Sequence, residues 1–185
     1  MSEPGYSASE LEEAQQRFGL TFPPDLVDLL REQRIPGGYD WMRDDEKIVR
    51  ALQWPLEGML FDVEENDLWW PEWGERPATK DNRATIVAGV ISNAPKLIPL
   101  MGHRYLPEEP NVVGNPIFSV YQSDIIVYGA DLHDWLRVEL DPTFQSQTRW
   151  PVREIEFWSL AVTRGMELQY RTVALGGGDP PTPLV

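Results

Sequence analysis

KLIPLMGHRYLPEEPNVVGNPIFSVYQSDIIVYGADLHDWL, residues 96–136, decides how this chain folds. Residues 96–101 are a short apolar run. Residues 117–121 alternate, with Ile117, Ser119 and Tyr121 on one side and Phe118 and Val120 on the other. Gln122 and Ser123 supply a polar turn, and residues 124–128 run apolar again. Two short runs joined by a tight polar turn predict an antiparallel hairpin. The second run is nearly continuous through Ile125, Ile126 and Val127, which predicts a mid-sheet strand buried on both faces. Gly129 breaks it. Leu132, Trp135 and Leu136 then follow at helical spacing, so a short helix closes the unit.

Helices are expected on either side of this sheet. Ser9 and Glu12 have the spacing of a capping box. Leu11, Ala14 and Phe18 share one face of the helix that follows, and Gly19 suits a left-handed stop. Pro24 fits the first turn of a second helix, with Leu26, Leu29 and Leu30 inward and an end at IPGG, residues 35–38. Asp44 caps a third helix that places Ile48, Ala51 and Leu52 inward and stops at Pro55. Thr79 or Asp81 caps a fourth, with Ala84, Val87, Ala88 and Ile91 on its face. Residues 154–165 form a last helix with Ile155, Trp158 and Val162 inward. The order predicts an α+β fold: a single mostly antiparallel sheet with helices packed before and after it. No internal repeat and no second core is visible. The expected domain spans residues 1–175, and residues 176–185 (GGGDPPTPLV) read as a flexible tail.

The 185 residues are enough for one domain with a real core. No cysteine is present, which removes disulfides, thiolate metal sites and cysteine nucleophiles together. No signal-like apolar core and no membrane-length run occurs, so a cytoplasmic monomer or dimer is expected. The formal net charge is −14, and residues 1–75 carry 18 acidic against 6 basic side chains. A field of that sign repels nucleic acid and attracts basic proteins.

RFGLTFPPDLVDLLREQ, residues 17–33, resembles the opening of the SUKH superfamily, the domain of the yeast cell-wall-assembly regulator. NPIFSVYQSDIIVYGADLHDWL, residues 115–136, looks like the late strands and closing helix of that domain. The resemblance covers residues 11–140. It implies an α+β fold and a binding role rather than catalysis. Many bacterial members are immunity proteins that neutralise the toxins of polymorphic toxin systems, and others are cytosolic regulators. The family offers no catalytic residues to carry over.

FDVEENDLWWPEWGERP, residues 61–77, holds Trp69, Trp70 and Trp73 among six acidic residues, opposed only by Arg76. Tryptophan is a favoured interface anchor, and acidic neighbours select a basic partner. Glu64, Glu65, Asp67, Trp69, Trp70 and Trp73 are therefore the expected partner-binding residues. Two of the rings plugging the core, with the acids merely solvating a loop, is the competing structural reading. His103, Arg104 and Tyr105, directly after a strand, form a second candidate. Only His103 and His133 are available as imidazole ligands, so no metal and no cofactor is expected. No nucleophile elbow, P-loop or dinucleotide fingerprint appears, so the chain is not expected to be an enzyme. The reading is a non-catalytic immunity protein that binds a basic toxin. The rivals are a cytosolic regulatory scaffold and a carbohydrate-active enzyme using paired carboxylates such as Glu64 and Glu72.

Overall fold

The computed structural model describes residues 4–141, 143–144 and 151–176, with side chains through residue 167. Among them are six α-helices and one four-stranded antiparallel sheet, an α+β arrangement. The strands β1 (Leu97–Met101), β2 (Arg104–Pro107), β3 (Ile117–Tyr121) and β4 (Asp124–Gly129) lie in sequence order. The predicted hairpin is present. Tyr121 faces Asp124 across the Gln122–Ser123 turn, and Val120 faces Ile125.

Two expectations about the sheet are corrected. β4 is an edge strand rather than a central one, with Asp124 and Ile126 exposed. β3, paired on both sides, takes the buried position, and an apolar run alone does not distinguish the two. A further strand follows β1 directly, where the sequence pattern predicts none. Gly102 and His103 form a two-residue turn, and residues 104–107 return as β2, with Arg104 facing Met101. Gly102 adopts φ +53°, which glycine tolerates without steric cost.

α1 (Ala8–Phe18) and α2 (Pro24–Glu32) pack beside the sheet. The capping box is two residues earlier than expected, at Ser7 and Glu10 rather than Ser9 and Glu12. Ser7 Oγ accepts from the Glu10 N–H at 3.2 Å, and the Glu10 carboxylate accepts from the Ser7 N–H at 2.7 Å. Gly19 is the left-handed cap. α2 carries its predicted stripe of Leu26, Leu29 and Leu30 but ends before IPGG.

α3 (Asp45–Glu65) does not stop at Pro55. A proline inside a helix removes one N–H and leaves the carbonyl four residues earlier without a partner. That carbonyl belongs to Ala51, and the Tyr105 hydroxyl donates to it at 2.9 Å. Trp54 Nε1 donates to the Val120 carbonyl at 3.1 Å, so the sheet grips the helix twice in the turn that precedes the proline. Asp44 precedes the helix without a side-chain cap bond. Thr79 does cap α4 (Lys80–Asn93), whose buried residue is Val87. α5 (Leu132–Leu140) buries Leu132 and Trp135 as predicted. Ile155 and Trp158 are buried, but α6 (Trp158–Gly176) begins later and runs past Gly165. Gly176, the first residue of the expected tail over residues 176–185, is the last of this helix, and residues 177–185 lie outside the described residues.

The absence of a second core does not hold. Alternate residues of the strands enter two hydrophobic clusters. Ile98, Leu106 and Ile117 join Leu11, Leu26, Trp41 and Trp135 of the first. Leu97, Tyr105, Phe118 and Ile125 join Met59, Trp70, Val87 and Trp158 of the second. α3 begins in the first with Ile48 and ends in the second with Val63. This crossing puts its C-terminal end, and the tryptophan segment after it, beside the β3–β4 turn and α6.

Candidate functional site: a tryptophan-walled acidic cleft

The first five residues of the 61–77 segment are the last turns of α3, not loop. The helix ends at Glu65. Asp67 adopts φ +53°, which turns the chain back toward the sheet. A 3-10 turn, Pro71–Trp73, completes the segment. The three indoles then divide. Trp70 is 3% exposed and Trp73 is 8% exposed. Their rings lie 4.7 Å apart, and Phe157 backs Trp70 at 5.8 Å. Trp69 is only partly buried. It meets Trp73 edge-on at 5.2 Å and donates from Nε1 to the Gly74 carbonyl at 2.8 Å. Arg76 ties the loop down by donating to the Val63 carbonyl at 2.6 Å. The ring half of the competing reading therefore holds, with two rings in the core, while the third lies partly exposed beside them.

The acids divide in the same way. Glu64 is held by Arg83 through Nε at 2.8 Å and Nη2 at 2.5 Å. The Arg83 hydrogen bond holds the Glu64 carboxyl below the usual carboxylate range. Glu72 is bonded by Arg164, which lowers its carboxyl likewise. Glu65 is exposed, and Asp67 is 91% exposed with Arg76 at 3.2 Å. Only Glu65 and Asp67 of the expected acidic set are thus open to a partner.

A cleft of about 510 Å³ opens between this segment, the β3–β4 turn and α6. Asp67, Trp69 and Trp70 line one side, and Ser123, Arg164 and Glu167 line the other. Asp62 lies at the junction and is 6% exposed. Its carboxylate accepts from the Ser123 N–H at 2.9 Å, the Ser123 hydroxyl, and Asn66 Nδ2 at 2.7 Å. These bonds fix the β3–β4 turn to the end of α3. Two donors at the cleft, Trp70 Nε1 and Arg164 Nε, are buried and have no partner among the described residues. A buried donor without an acceptor is costly, so an acceptor brought by a ligand or water gains there.

His103, Arg104 and Tyr105 do not belong to this cleft and do not act together. Alternation along β2 sends Arg104 and Tyr105 to opposite faces. Arg104 pairs with Glu139 at 3.2 Å, donates to Ser119 Oγ at 2.8 Å and stacks 3.5 Å from the Tyr128 ring centroid. Tyr105 is buried, and burial pushes its phenol pKa up. His103 sits exposed on the turn, its ring 6.2 Å from Tyr121. Desolvation and the Arg104 charge push its imidazole pKa down.

Sequence reasoning missed Arg164, Glu167 and Ser123. The first two lie some hundred positions from the tryptophans, and no local pattern marks them. Among the described residues no group of three or more His, Asp or Glu is placed to hold a metal ion, and no helix is long and apolar enough to cross a membrane. Comparison of the chain with protein-family models, with curated proteins and with solved structures finds no match.

Proposed function

We propose that the protein is a cytoplasmic, non-catalytic binding domain of the SUKH immunity type that captures a basic toxin at the tryptophan-walled cleft. The observation that carries this reading is the division of the segment itself. Trp70 and Trp73 anchor it in the core, and this presents Trp69 and Asp67 at the cleft on a fixed scaffold, with Glu65 exposed at the end of α3. A partly exposed indole in the same segment as the exposed carboxylates of Glu65 and Asp67 has the composition of an interface anchor selective for cations. The α+β architecture agrees with the resemblance of residues 17–33 and 115–136. Steering by the acidic half of the chain would bring a basic surface to the cleft, and seating on Trp69 would retain it. Toxin activity is then blocked by occlusion, with no bond made or broken.

The glycosidase alternative is disfavoured by the state of its carboxyls. A general acid needs a raised pKa, whereas Glu64 and Glu72 are both lowered by arginines. A pull-down from the native host should recover a basic protein. Against that partner, Trp69→Ala should speed dissociation, at a cost of about 2 kcal/mol or more in affinity. Trp70→Ala should instead act chiefly on stability, lowering it by about 3–5 kcal/mol. Unchanged dissociation in Trp69→Ala removes the cleft from the interface.

A further inference from the structure

A second concavity lies on the N-terminal half of α3 and differs from the cleft in charge. It is an open groove of about 540 Å³ bordered by the β1–β2 turn. Tyr39, Trp54 and Tyr121 form its aromatic lining, with Tyr105 beneath. Three of these rings are fixed by hydrogen bonds to backbone carbonyls. Tyr39 donates to Gly102 at 3.0 Å, Trp54 to Val120 at 3.1 Å and Tyr105 to Ala51 at 2.9 Å. The fourth, Tyr121, is 55% exposed and lies 6.0 Å from Trp54. Tyr39, Trp54 and Tyr105 thus present rings that need no reordering on binding.

Its cationic lining residues are Lys47 and Arg50, with the His103 imidazole beside them and no carboxylate in the lining. In a chain of net charge −14 this is a local reversal of sign. Lys47 is engaged by Asp44, just outside the groove, at 2.7 Å. Arg50 is less committed. Its Nε donates to the Glu46 carbonyl at 3.2 Å, and its two Nη groups have no partner among the described residues. A guanidinium held at Nε presents the remaining N–H groups as a fork suited to carboxylate or phosphate.

We propose that this groove binds a small planar anion: an aromatic ring bearing a phosphate or a carboxylate. The ring lies against Tyr121 and Trp54, and the anionic group is taken by Arg50. Aromatic faces stack on any planar ring, which sets the shape of the ligand. Arg50 sets its charge, and the volume falls in the range of small-molecule sites. The site shares no lining residue with the tryptophan cleft, so it stands or falls independently of the partner reading.

The test uses the full chain, adenosine monophosphate and 4-hydroxybenzoate as probes, and inorganic phosphate and adenosine as controls. Binding is read by calorimetry and by the indole ¹⁵N–¹H resonances. One ring-bearing anion should bind at least about tenfold tighter than either control and shift the Trp54 Nε1 signal. A preference for the nucleotide assigns phosphate chemistry, and a preference for the benzoate assigns carboxylate chemistry. Arg50→Gln and Tyr121→Ala should each weaken binding by about tenfold or more without moving the melting temperature. The proposal is overturned if neither probe outbinds its control, if Arg50→Gln binds as the wild type does, or if the Trp54 signal stays fixed while other indoles move. A variant that lowers the melting temperature is replaced by Arg50→Lys. That change keeps the charge, removes the fork and should still weaken binding.

Discussion

Pro55 deprives the Ala51 carbonyl of an amide, and the Tyr105 hydroxyl takes the amide's place. Tyr105→Phe should therefore leave a buried acceptor unsatisfied and cost about 1–3 kcal/mol. Restoring the amide with Pro55→Ala should remove most of that penalty. Urea unfolding of the four proteins in this cycle checks it, and strictly additive effects would show that the two groups are not coupled. Neither partner was legible beforehand. A proline in an apolar pattern reads as a helix end, and a tyrosine after Gly-His-Arg reads as part of a surface loop. The fate of the three tryptophans was undecidable for a related reason. Local sequence gives Trp69 and Trp70 the same neighbours, and what separates them is Phe157 behind one ring and the Gly74 carbonyl beside the other.

Where α3 crosses the β3–β4 turn, the contact is backbone to backbone. A Cβ built on Gly58 would lie 2.8 Å from the Gln122 Cα and 3.2 Å from its nitrogen, so something must shift. Gly58→Ala should destabilise by about 1–3 kcal/mol despite the higher helix propensity of alanine. It should also loosen the Asp62–Ser123 bonds four residues further along the helix. Faster amide exchange at Ser123 than in the wild type is the expected result, and unchanged exchange means that the turn is not held by this helix. The elements with strong local signals were read correctly: the hairpin at Gln122–Ser123, the Leu26–Leu29–Leu30 stripe, and α5 with Leu132 and Trp135. β2 was missed because Arg104-Tyr105-Leu106-Pro107 is short, charged at one end and closed by proline. Its pairing with β1 and β3 comes from tertiary context, which outweighs strand propensity. β4 was placed mid-sheet because the same context decides which member of a hairpin gains a second neighbour.

Charge is the property of this molecule that composition made plain, and the structure shows how it is spent. Glu64, Glu72 and Asp44 are each held below the ordinary carboxylate range, chiefly by hydrogen bonds from Arg83, Arg164 and Lys47. A carboxyl lowered in the folded state contributes its full stability above its unfolded pKa and loses it as pH falls through the folded value. Stability from these groups should hold down to roughly pH 5 and decline progressively below it. Glu64→Gln should flatten that acid limb, as followed by urea midpoints against pH. An unaltered limb means that the Glu64–Arg83 pair is not a source of acid sensitivity.

The same pairing changes which acids can steer a partner. Glu64 is committed to folding, while Glu65 and Asp67 face solvent. The most direct measurement is the association rate of the captured basic protein with the wild type and with Glu65→Lys combined with Asp67→Lys, across ionic strengths. The account predicts that the double reversal slows association at low salt and flattens its salt dependence, with a smaller change in dissociation. Equal association rates at every ionic strength would contradict it and remove the acidic cleft from the binding face.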